Sequence, residues 1–274
     1  MRLMQSLRSI EFAETRSRSL HFDVRVTTAG VWLMLAIGSA LSLPAVAGET
    51  WLHQPFDQVL REHVKNGFVD YPAIARDPRF GKYLSALRQT NPATLGSREE
   101  RLAFWINAYN ALAIKGILDG KSPNGLLSRI GFFKTTDYEV GGRVINLYDL
   151  EWEVIIPMGE PRIHFAIVCA SHSCPPLRSE AYTAEHLAEQ LEENTRHFIN
   201  DPTRNRFDRN QRVAYLSKIF DWYPEDFEQH SGTVLEYVAQ YLADPDLARE
   251  LQNGGYNVDY LDYNWTLNGI QPQG

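Results

Sequence analysis

Residues 97–118 read SREERLAFWINAYNALAIKGIL and carry the most regular apolar pattern of the chain. Apolar side chains recur there at three- and four-residue spacing, which predicts one α-helix that runs to the end of the stretch. Ser97 is the expected N-cap, and Glu100, three residues later, completes a capping box. Asn107 and Asn110 lie one turn apart on this helix, although asparagine amides compete with the helix for backbone partners. We expect the two amides either to hold a neighbouring loop or to act as orienting or oxyanion-stabilising groups.

Weaker patterns on either side of this helix predict the remaining elements. They are two short helices over 51–90, a hairpin with a Gly-Gly turn over 137–145, a short helix capped by Asn146, a buried strand over 163–169, a helix from Thr183 to His197, a strand over 213–216, a helix capped by Ser231 and a final strand within 258–268. Helices come mostly first and last, with scattered strands between them, and this order favours an α+β fold over a doubly wound parallel sheet. We therefore expect helices packed around a small mixed or antiparallel sheet.

The first 47 residues are expected to be a signal peptide. Arginines precede an apolar run that opens at Val31 and ends in the small residues 45–47, AVA, before Gly48. The arm before this run is long, which a true start near Val24 would explain; an uncleaved membrane anchor is the alternative. The run is too short and too interrupted by glycine, serine and proline for a membrane span. We expect an exported protein, periplasmic or secreted, with no stable membrane insertion after removal of the segment.

Residues 48–274 are expected to form a single domain, with its core at about 98–242 together with the final strand. The chain has 274 residues, of which 44% are hydrophobic, so it is long enough to bury a sizeable core. Outside residues 1–47 it has 22 basic and 31 acidic residues, a formal charge of −9. This acidic balance argues against a nucleic-acid partner, which requires clustered cations to displace counterions. A peptide or small-molecule ligand remains compatible with it.

Both cysteines lie in the stretch 164–174, HFAIVCASHSC, together with two of the eight histidines. A thiol nucleophile needs a base that activates it and a third group that orients the base. On a regular strand His164 and Cys169 would point to opposite faces, because five residues separate them. Cys174 with His164 is therefore the expected catalytic pair. Glu151, on the short helix before this stretch, is a candidate to orient the histidine.

Three other chemistries compete for the same cysteines. Two cysteines five residues apart in an exported chain favour a Cys169–Cys174 disulfide. A redox-active dithiol would cycle between the bridged and free states, although its spacing departs from the usual Cys-x-x-Cys. A metal site that adds His164 and His172 is disfavoured, because structural zinc uses two well-separated ligand pairs. No metal and no cofactor is expected.

Several stretches together resemble the domain of unknown function 547. They cover about 98–242 and the final strand, and they read AFWINAYNAL at 103–112, LE at 150–151, PRIHFAIVC at 161–169, SCPPLR at 173–178, LSKIFDWY at 216–223 and YNWTLN at 263–268. The positions of the family pattern that this resemblance implies are Asn107, Asn110, Glu151, His164, Cys169, Cys174, Pro175 and Arg178. The chain departs from the pattern at Trp152, where many family members have a histidine. A further analogy, at the level of the fold, is to papain-like or transglutaminase-like thiol enzymes.

Two functions are compatible with these features. The first is a thiol-dependent hydrolase or acyltransferase that acts on amide or acyl bonds of envelope peptides, with Cys174 as nucleophile, His164 as base and an asparagine amide as helper. The second is a non-catalytic periplasmic binding or scaffold domain, with bridged cysteines and an aromatic groove that includes Trp265. The residues predicted to contact a ligand are Cys169, Ser173, Arg178, Trp222 and Tyr223.

Overall fold

The computed structural model describes residues 49–272, and the predicted signal peptide lies outside this range. Its α-helices are α1 Glu49–His63, α2 Tyr71–Arg76, α3 Pro78–Gln89, α4 Arg98–Leu118, α5 Leu126–Phe133, α6 Leu147–Asp149, α7 Leu187–Ile199, α8 Lys218–Trp222, α9 Pro224–Ser231, α10 Val234–Tyr241 and α11 Pro245–Gln252. Its strands are β1 Val64–Lys65, β2 Phe68–Asp70, β3 Tyr138–Val140, β4 Arg143–Ile145, β5 Arg206–Asp208, β6 Val213–Leu216, β7 Asn257–Tyr260 and β8 Gly269–Ile270. Among residues 49–272, no helix combines the length and apolarity that a bilayer crossing requires.

Helix α4 begins and ends where the sequence pattern predicts. The Ser97 hydroxyl accepts the N–H of Glu100 at 3.0 Å, and the Glu100 carboxylate accepts the N–H of Ser97 at 3.2 Å, so the capping box is complete. From Leu102 onward every residue of α4 is buried except Lys115 and Leu118, which are half-buried. A helix that is buried on all sides must be surrounded by protein, and α1, α2, α3 and α6 pack against it. The helix therefore forms the centre of the larger of two hydrophobic cores.

The strands form three small sheets. In the first, β2 pairs antiparallel with β1 and parallel with β8. In the second, β3 and β4 form the predicted hairpin, and its turn residues Gly141 and Gly142 have φ angles of 61° and 74°, which glycine adopts without a steric penalty. In the third, β6 pairs antiparallel with β5 and parallel with β7. Helices packed with small mixed and antiparallel sheets confirm the predicted α+β class.

A second hydrophobic core surrounds Phe165. Its ring lies 5.0 Å from that of Phe198 on α7 and 5.8 Å from those of Phe220 on α8 and Phe227 on α9. The two following residues, 166 and 167, are buried in the first core. The cysteine-containing stretch therefore runs along both cores, because Ile163 also packs in the first core while Phe165 packs in the second.

The prediction of a strand over 163–169 is wrong. Pro161–Phe165 is a 3-10 helix, and the Glu160 side chain caps it by accepting the N–H of Arg162 at 3.2 Å. All but one of the residues from 163 to 169 are buried, and Cys169 is half-buried. A continuous apolar run indicates burial but does not distinguish a strand from another buried conformation. The expectation that His164 and Cys169 point to opposite faces rested on a strand, so it does not apply.

Other element boundaries differ from the predictions in smaller ways. Residues 51–90 contain three helices, because Asp70 caps an additional one by accepting the N–H of Ala73 at 2.9 Å. The helix predicted from Thr183 has His186 at its N-cap position, and the helix predicted from Ser231 has Thr233 there. The strand predicted within 258–268 is β7, Asn257–Tyr260, and residues 264–268 instead pair with the cysteine loop described below.

Candidate functional site

The two cysteines lie side by side at the ends of a short loop, residues 169–174, called the cysteine loop from here on. Their sulfur atoms are at disulfide distance, and their Cα atoms are 6.2 Å apart. Cys169 is half-buried, whereas Cys174 is only 5% exposed. The backbone N–H of Cys169 donates to Cys174 Sγ at 2.9 Å. The pair is therefore asymmetric, with one half-buried cysteine and one buried cysteine whose sulfur has a backbone donor.

Asn110 on α4 holds the chain that leads into the loop. Its amide Nδ2 donates to the carbonyl of Ala166 at 2.9 Å, and its Oδ1 accepts the N–H of Val168 at 2.8 Å. These are the two hydrogen bonds that a neighbouring strand would otherwise supply. Asn107, one turn earlier, forms the same double contact with the backbone of Tyr182, at 2.8 and 2.9 Å. Of the two roles considered for these amides, both asparagines have the contacts of a loop holder.

The far side of the cysteine loop is held by residues 264–268, called the C-terminal segment from here on. Three backbone hydrogen bonds of 2.7 to 3.1 Å connect Ala170, His172 and Ser173 with this segment, and the Ser173 hydroxyl accepts a fourth at 2.9 Å from the N–H of Asn264. At the centre of the loop Ala170 has a φ angle of 60°. A left-handed conformation at alanine costs about 1 kcal/mol, so the surrounding contacts must maintain it.

Two hydroxyl groups contact the sulfur of the half-buried cysteine. Cys169 Sγ lies 3.0 Å from Ser171 Oγ and 3.3 Å from the hydroxyl of Tyr263, and the two hydroxyls are 3.2 Å apart. Burial raises the pKa of Tyr263 well above the ordinary range for a phenol. The phenol therefore keeps its proton at neutral pH and remains a hydrogen-bond donor beside the sulfur.

A buried carboxylate forms the centre of a second polar group. Glu151 is 7% exposed and accepts hydrogen bonds from the hydroxyls of Tyr109, at 3.0 Å, and Tyr223. It lies in a π-helical turn, Leu150–Ile155, a conformation that is frequent at functional sites. Burial raises the pKa of Glu151, although the two phenol donors act in the opposite direction. Burial, and then the charge of Glu151, raise the pKa values of both tyrosines.

His164 contacts residues of this second group. Its Nε2 lies 2.7 Å from the carboxylate of Asp226 on α9, and its ring stacks on that of Tyr223 with centroids 4.0 Å apart. The predicted partnership of Glu151 with this histidine is indirect, because Tyr223 contacts both. The charge of Glu151 also raises the pKa of Tyr263, so the two polar groups interact electrostatically through that phenol.

The other predicted binding residues occupy separate environments. Arg178 donates to Asn194 at 2.9 Å and pairs with the carboxylates of Glu180 and Glu193, so it ties the segment before α7 to that helix. Trp222 lies against Tyr263 and Trp265, with ring centroids 4.7 and 5.7 Å apart. Of Arg178 and Trp222, Trp222 is therefore the one that packs on Tyr263, whose hydroxyl contacts Cys169 in the cysteine loop.

One group of side chains in the described range has spacing suited to a metal ion, namely Glu62, His63 and Asp77. The guanidinium of Arg79 already bonds to both carboxylates of this group. The charges are therefore compensated by an arginine, and we assign no ion there. A cavity of about 350 Å³ lies between α9, α10, α11 and β7, and no predicted site residue lines it.

Four residues of the site were not predicted from the sequence. They are Tyr109, Ser171, Asp226 and Tyr263. Tyr263 and Asp226 are 94 and 62 residues away from Cys169 and His164, so no local spacing connects them. Tyr263 opens the YNWTLN stretch, which was the one signal that could have directed attention to it.

We expect Glu151→Gln to change how stability depends on pH. A raised pKa means that the folded protein binds this proton more tightly than the unfolded chain does, so the contribution of Glu151 to stability is fully present below about pH 4.5 and falls as the pH rises through the folded pKa. The unfolding free energy of the wild type minus that of Glu151→Gln should therefore decrease between pH 4.5 and 8 in urea titrations. Glu153→Gln, an exposed neighbour, is the matched control. A difference that is constant across this range contradicts the assignment.

Comparisons with known proteins place part of the chain in a family. Residues 93–199 match the family described as "Protein of unknown function, DUF547". They include α4, the Glu151 turn, the cysteine loop and α7, but not Tyr223, Asp226 or Tyr263. No curated protein and no solved structure matches the chain. On this match, residues 93–199 of the chain form a region of the DUF547 family.

Proposed function

We propose that this chain is an exported thiol–disulfide exchange protein that reacts through the Cys169–Cys174 pair. The observation that carries the proposal is the asymmetry of the pair. Cys169 is half-buried and contacts two hydroxyls, while Cys174 is buried and receives a backbone N–H. An accessible sulfur next to a buried partner is the arrangement that exchange requires, because the attacking thiolate must reach one sulfur and displace the other.

The first step is attack by a substrate thiolate on Cys169 Sγ. A bond forms between the substrate sulfur and Cys169, and the Cys169–Cys174 bond breaks. The electron pair leaves on Cys174 Sγ, where the N–H of Cys169 at 2.9 Å stabilises the thiolate. The product of this step is a mixed disulfide at Cys169.

The second step resolves the mixed disulfide. A second thiol of the substrate attacks the substrate sulfur, and Cys169 leaves as a thiolate that Ser171 and Tyr263 stabilise by donating hydrogen bonds. The substrate dithiol loses two electrons and two protons and becomes a disulfide, and the protein gains two thiols. A disulfide on another protein or on a small molecule reoxidises the pair, and the same steps in reverse reduce a substrate disulfide.

Single cysteine variants test this assignment. Cys174→Ser, treated with hydroxyethyl disulfide, is expected to retain a stable mixed disulfide at Cys169, because the resolving thiol is missing. Cys169→Ser should react more slowly by a factor of roughly ten or more, because its remaining thiol, Cys174, is buried. Intact mass measured over time gives both rates. Equal rates for the two variants, or a wild-type pair that dithiothreitol reduces only after unfolding in urea, would support a structural disulfide instead.

A second candidate is the thiol-dependent hydrolase or acyltransferase of envelope peptides, now with Cys169 as nucleophile. The observation that favours it is the His164–Asp226 pair beside the buried Glu151, an acid–base group that thiol exchange does not use. The reduced Cys174→Ser variant separates the two. In the hydrolase it acquires an acyl group from p-nitrophenyl acetate at Cys169 and releases it again. In an exchange protein it gives no acyl turnover.

A further inference from the structure

Three aromatic rings form a continuous surface next to Cys169 Sγ. They are Trp222, Tyr263 and Trp265, called the aromatic platform from here on, and all three are half-buried. The ring of Tyr263 lies 4.7 Å from that of Trp222 and 4.5 Å from that of Trp265. Its hydroxyl lies 3.3 Å from Cys169 Sγ. A molecule that reacts at Cys169 therefore meets these rings on one side.

Arg129 on α5 lies over the Trp265 ring of the platform. Its guanidinium carbon is 4.1 Å from the centroid of the Trp265 ring, and its Nε donates to the carbonyl of Gly125 at 3.3 Å. Across residues 52–272, no carboxylate lies within ion-pair distance of Arg129. Burial lowers the pKa of this arginine. A partly desolvated guanidinium without a counter-charge is a site that an anionic ligand would stabilise.

The other cation near the platform is compensated. Arg204 pairs with Asp201 at 3.1 Å and donates to the carbonyl of His172 in the cysteine loop. The charges of Arg204 and Arg129 both lower the pKa of Tyr263, opposing the effect of burial, so both arginines are close enough to act on the phenol that contacts Cys169. Arg129 therefore supplies an unbalanced positive charge at the platform, in a chain whose formal net charge is −7.

We propose that Arg129 and the aromatic platform bind a carboxylate of the thiol substrate, which is an acidic cysteine-containing peptide. This inference rests on the proposed exchange at Cys169. The Tyr263 hydroxyl contacts Cys169 Sγ, its ring contacts that of Trp265, and the Trp265 ring contacts the guanidinium, so two aromatic residues connect the sulfur to Arg129. An extended peptide advances about 3.3–3.6 Å per residue, so a carboxylate two or three residues after the reacting cysteine lies about 7–11 Å from it, on the scale of these contacts. Arg129 would donate a charged hydrogen bond to the carboxylate, and its guanidinium also has a cation–π contact with the Trp265 ring.

The test compares two peptides that differ only in charge, acetyl-Cys-Ala-Ala-Glu-amide and acetyl-Cys-Ala-Ala-Gln-amide. With the wild-type protein the acidic peptide should open the Cys169–Cys174 bond to a mixed disulfide at Cys169 about tenfold faster than the neutral one at low salt, and the ratio of the two rates should approach one as salt screens the charge. Arg129→Gln should bring the ratio to about one, and Arg129→Lys should retain part of it. Arg143→Gln is the control, because Arg143 is exposed and lies over a different indole, that of Trp105.

A non-reacting peptide distinguishes the two possible failures. Acetyl-Ser-Ala-Ala-Glu-amide has no thiol, so its binding, followed by tryptophan fluorescence, tests the arginine site without exchange. Equal rates for the acidic and neutral thiol peptides, with exchange intact, overturn the inference and leave the proposed function standing. If the serine peptide binds in an Arg129-dependent way but no exchange occurs, the proposed function is contradicted and the carboxylate site is supported. If neither occurs, both are rejected.

Discussion

Asn110→Ala is expected to be one of the most destabilising single substitutions in this protein. The side chain is 2% exposed and satisfies two buried backbone groups, the carbonyl of Ala166 and the N–H of Val168. Each buried group left without a partner costs about 1–3 kcal/mol, so we expect the free energy of unfolding to fall by roughly 3–5 kcal/mol. Urea titration at pH 7 measures this loss. The released backbone leads directly into Cys169. The rate at which the reduced cysteines are alkylated should therefore also change by about tenfold.

Asn107→Ala is the matched control for that variant. Asn107 is 1% exposed, lies one turn earlier on the same helix, and makes the same two backbone hydrogen bonds, to Tyr182 instead of the cysteine segment. We expect a similar loss of stability with little change in the reactivity of Cys169. If both variants alter the thiol to the same extent, the effect reflects general loosening, and Asn110 has no special role in positioning the loop.

Local sequence patterns were sufficient for several elements. Helix α4 has its capping box and its apolar residues within one continuous stretch, so all the information for it is local. The β3–β4 hairpin is marked by Gly-Gly, since those positions have positive φ angles. The strand Val213–Leu216 also occurs where its pattern predicts. In these cases the neighbours that decide the conformation lie close in sequence.

The segment before the cysteines could not be predicted in the same way. Its long-range hydrogen-bond partners are side chains and not another strand: Asn110, 56 and 58 residues earlier, and Asn194, which donates to the carbonyl of Phe165. The apolar run looks the same in either case, because both environments exclude water. The choice between them depends on an amide in a distant helix, which no local periodicity encodes.

The candidate site was predictable in its chemistry but not in its pairings. The disulfide distance between Cys169 and Cys174 was among the alternatives, because those residues share one loop. Whether His164 faces a cysteine or a carboxylate depends on where α9 places Asp226. The hydroxyl beside Cys169 comes from Tyr263, on the far end of the chain. Each of these contacts is decided by packing between elements that are distant in sequence.

A buried histidine remote from the cysteines gives the protein an acid-sensitive position. His53 on α1 is 1% exposed, its Nδ1 lies 2.8 Å from the hydroxyl of Tyr83, and its ring lies 6.3 Å from that of Phe104. Burial lowers the pKa of His53 from 6.5 to about 3. The unfolded chain therefore binds this proton at a higher pH than the folded protein does, and stability must decrease as the pH falls from about 6.5 towards 3.

His53→Gln should remove most of this acid sensitivity. One pKa unit corresponds to about 1.4 kcal/mol, so the buried neutral histidine costs the wild type about 3 kcal/mol at pH 4.5 relative to pH 7.5. At pH 7.5 the variant is expected to be less stable by about 1–2 kcal/mol, because glutamine packs less well against the rings. By pH 4.5 that deficit should disappear or reverse in urea titrations. His197→Gln, which replaces an exposed histidine on α7, is the control. If the wild type and His53→Gln lose stability in parallel between pH 7.5 and 4.5, His53 is protonated without unfolding and its burial is not the cause of acid sensitivity.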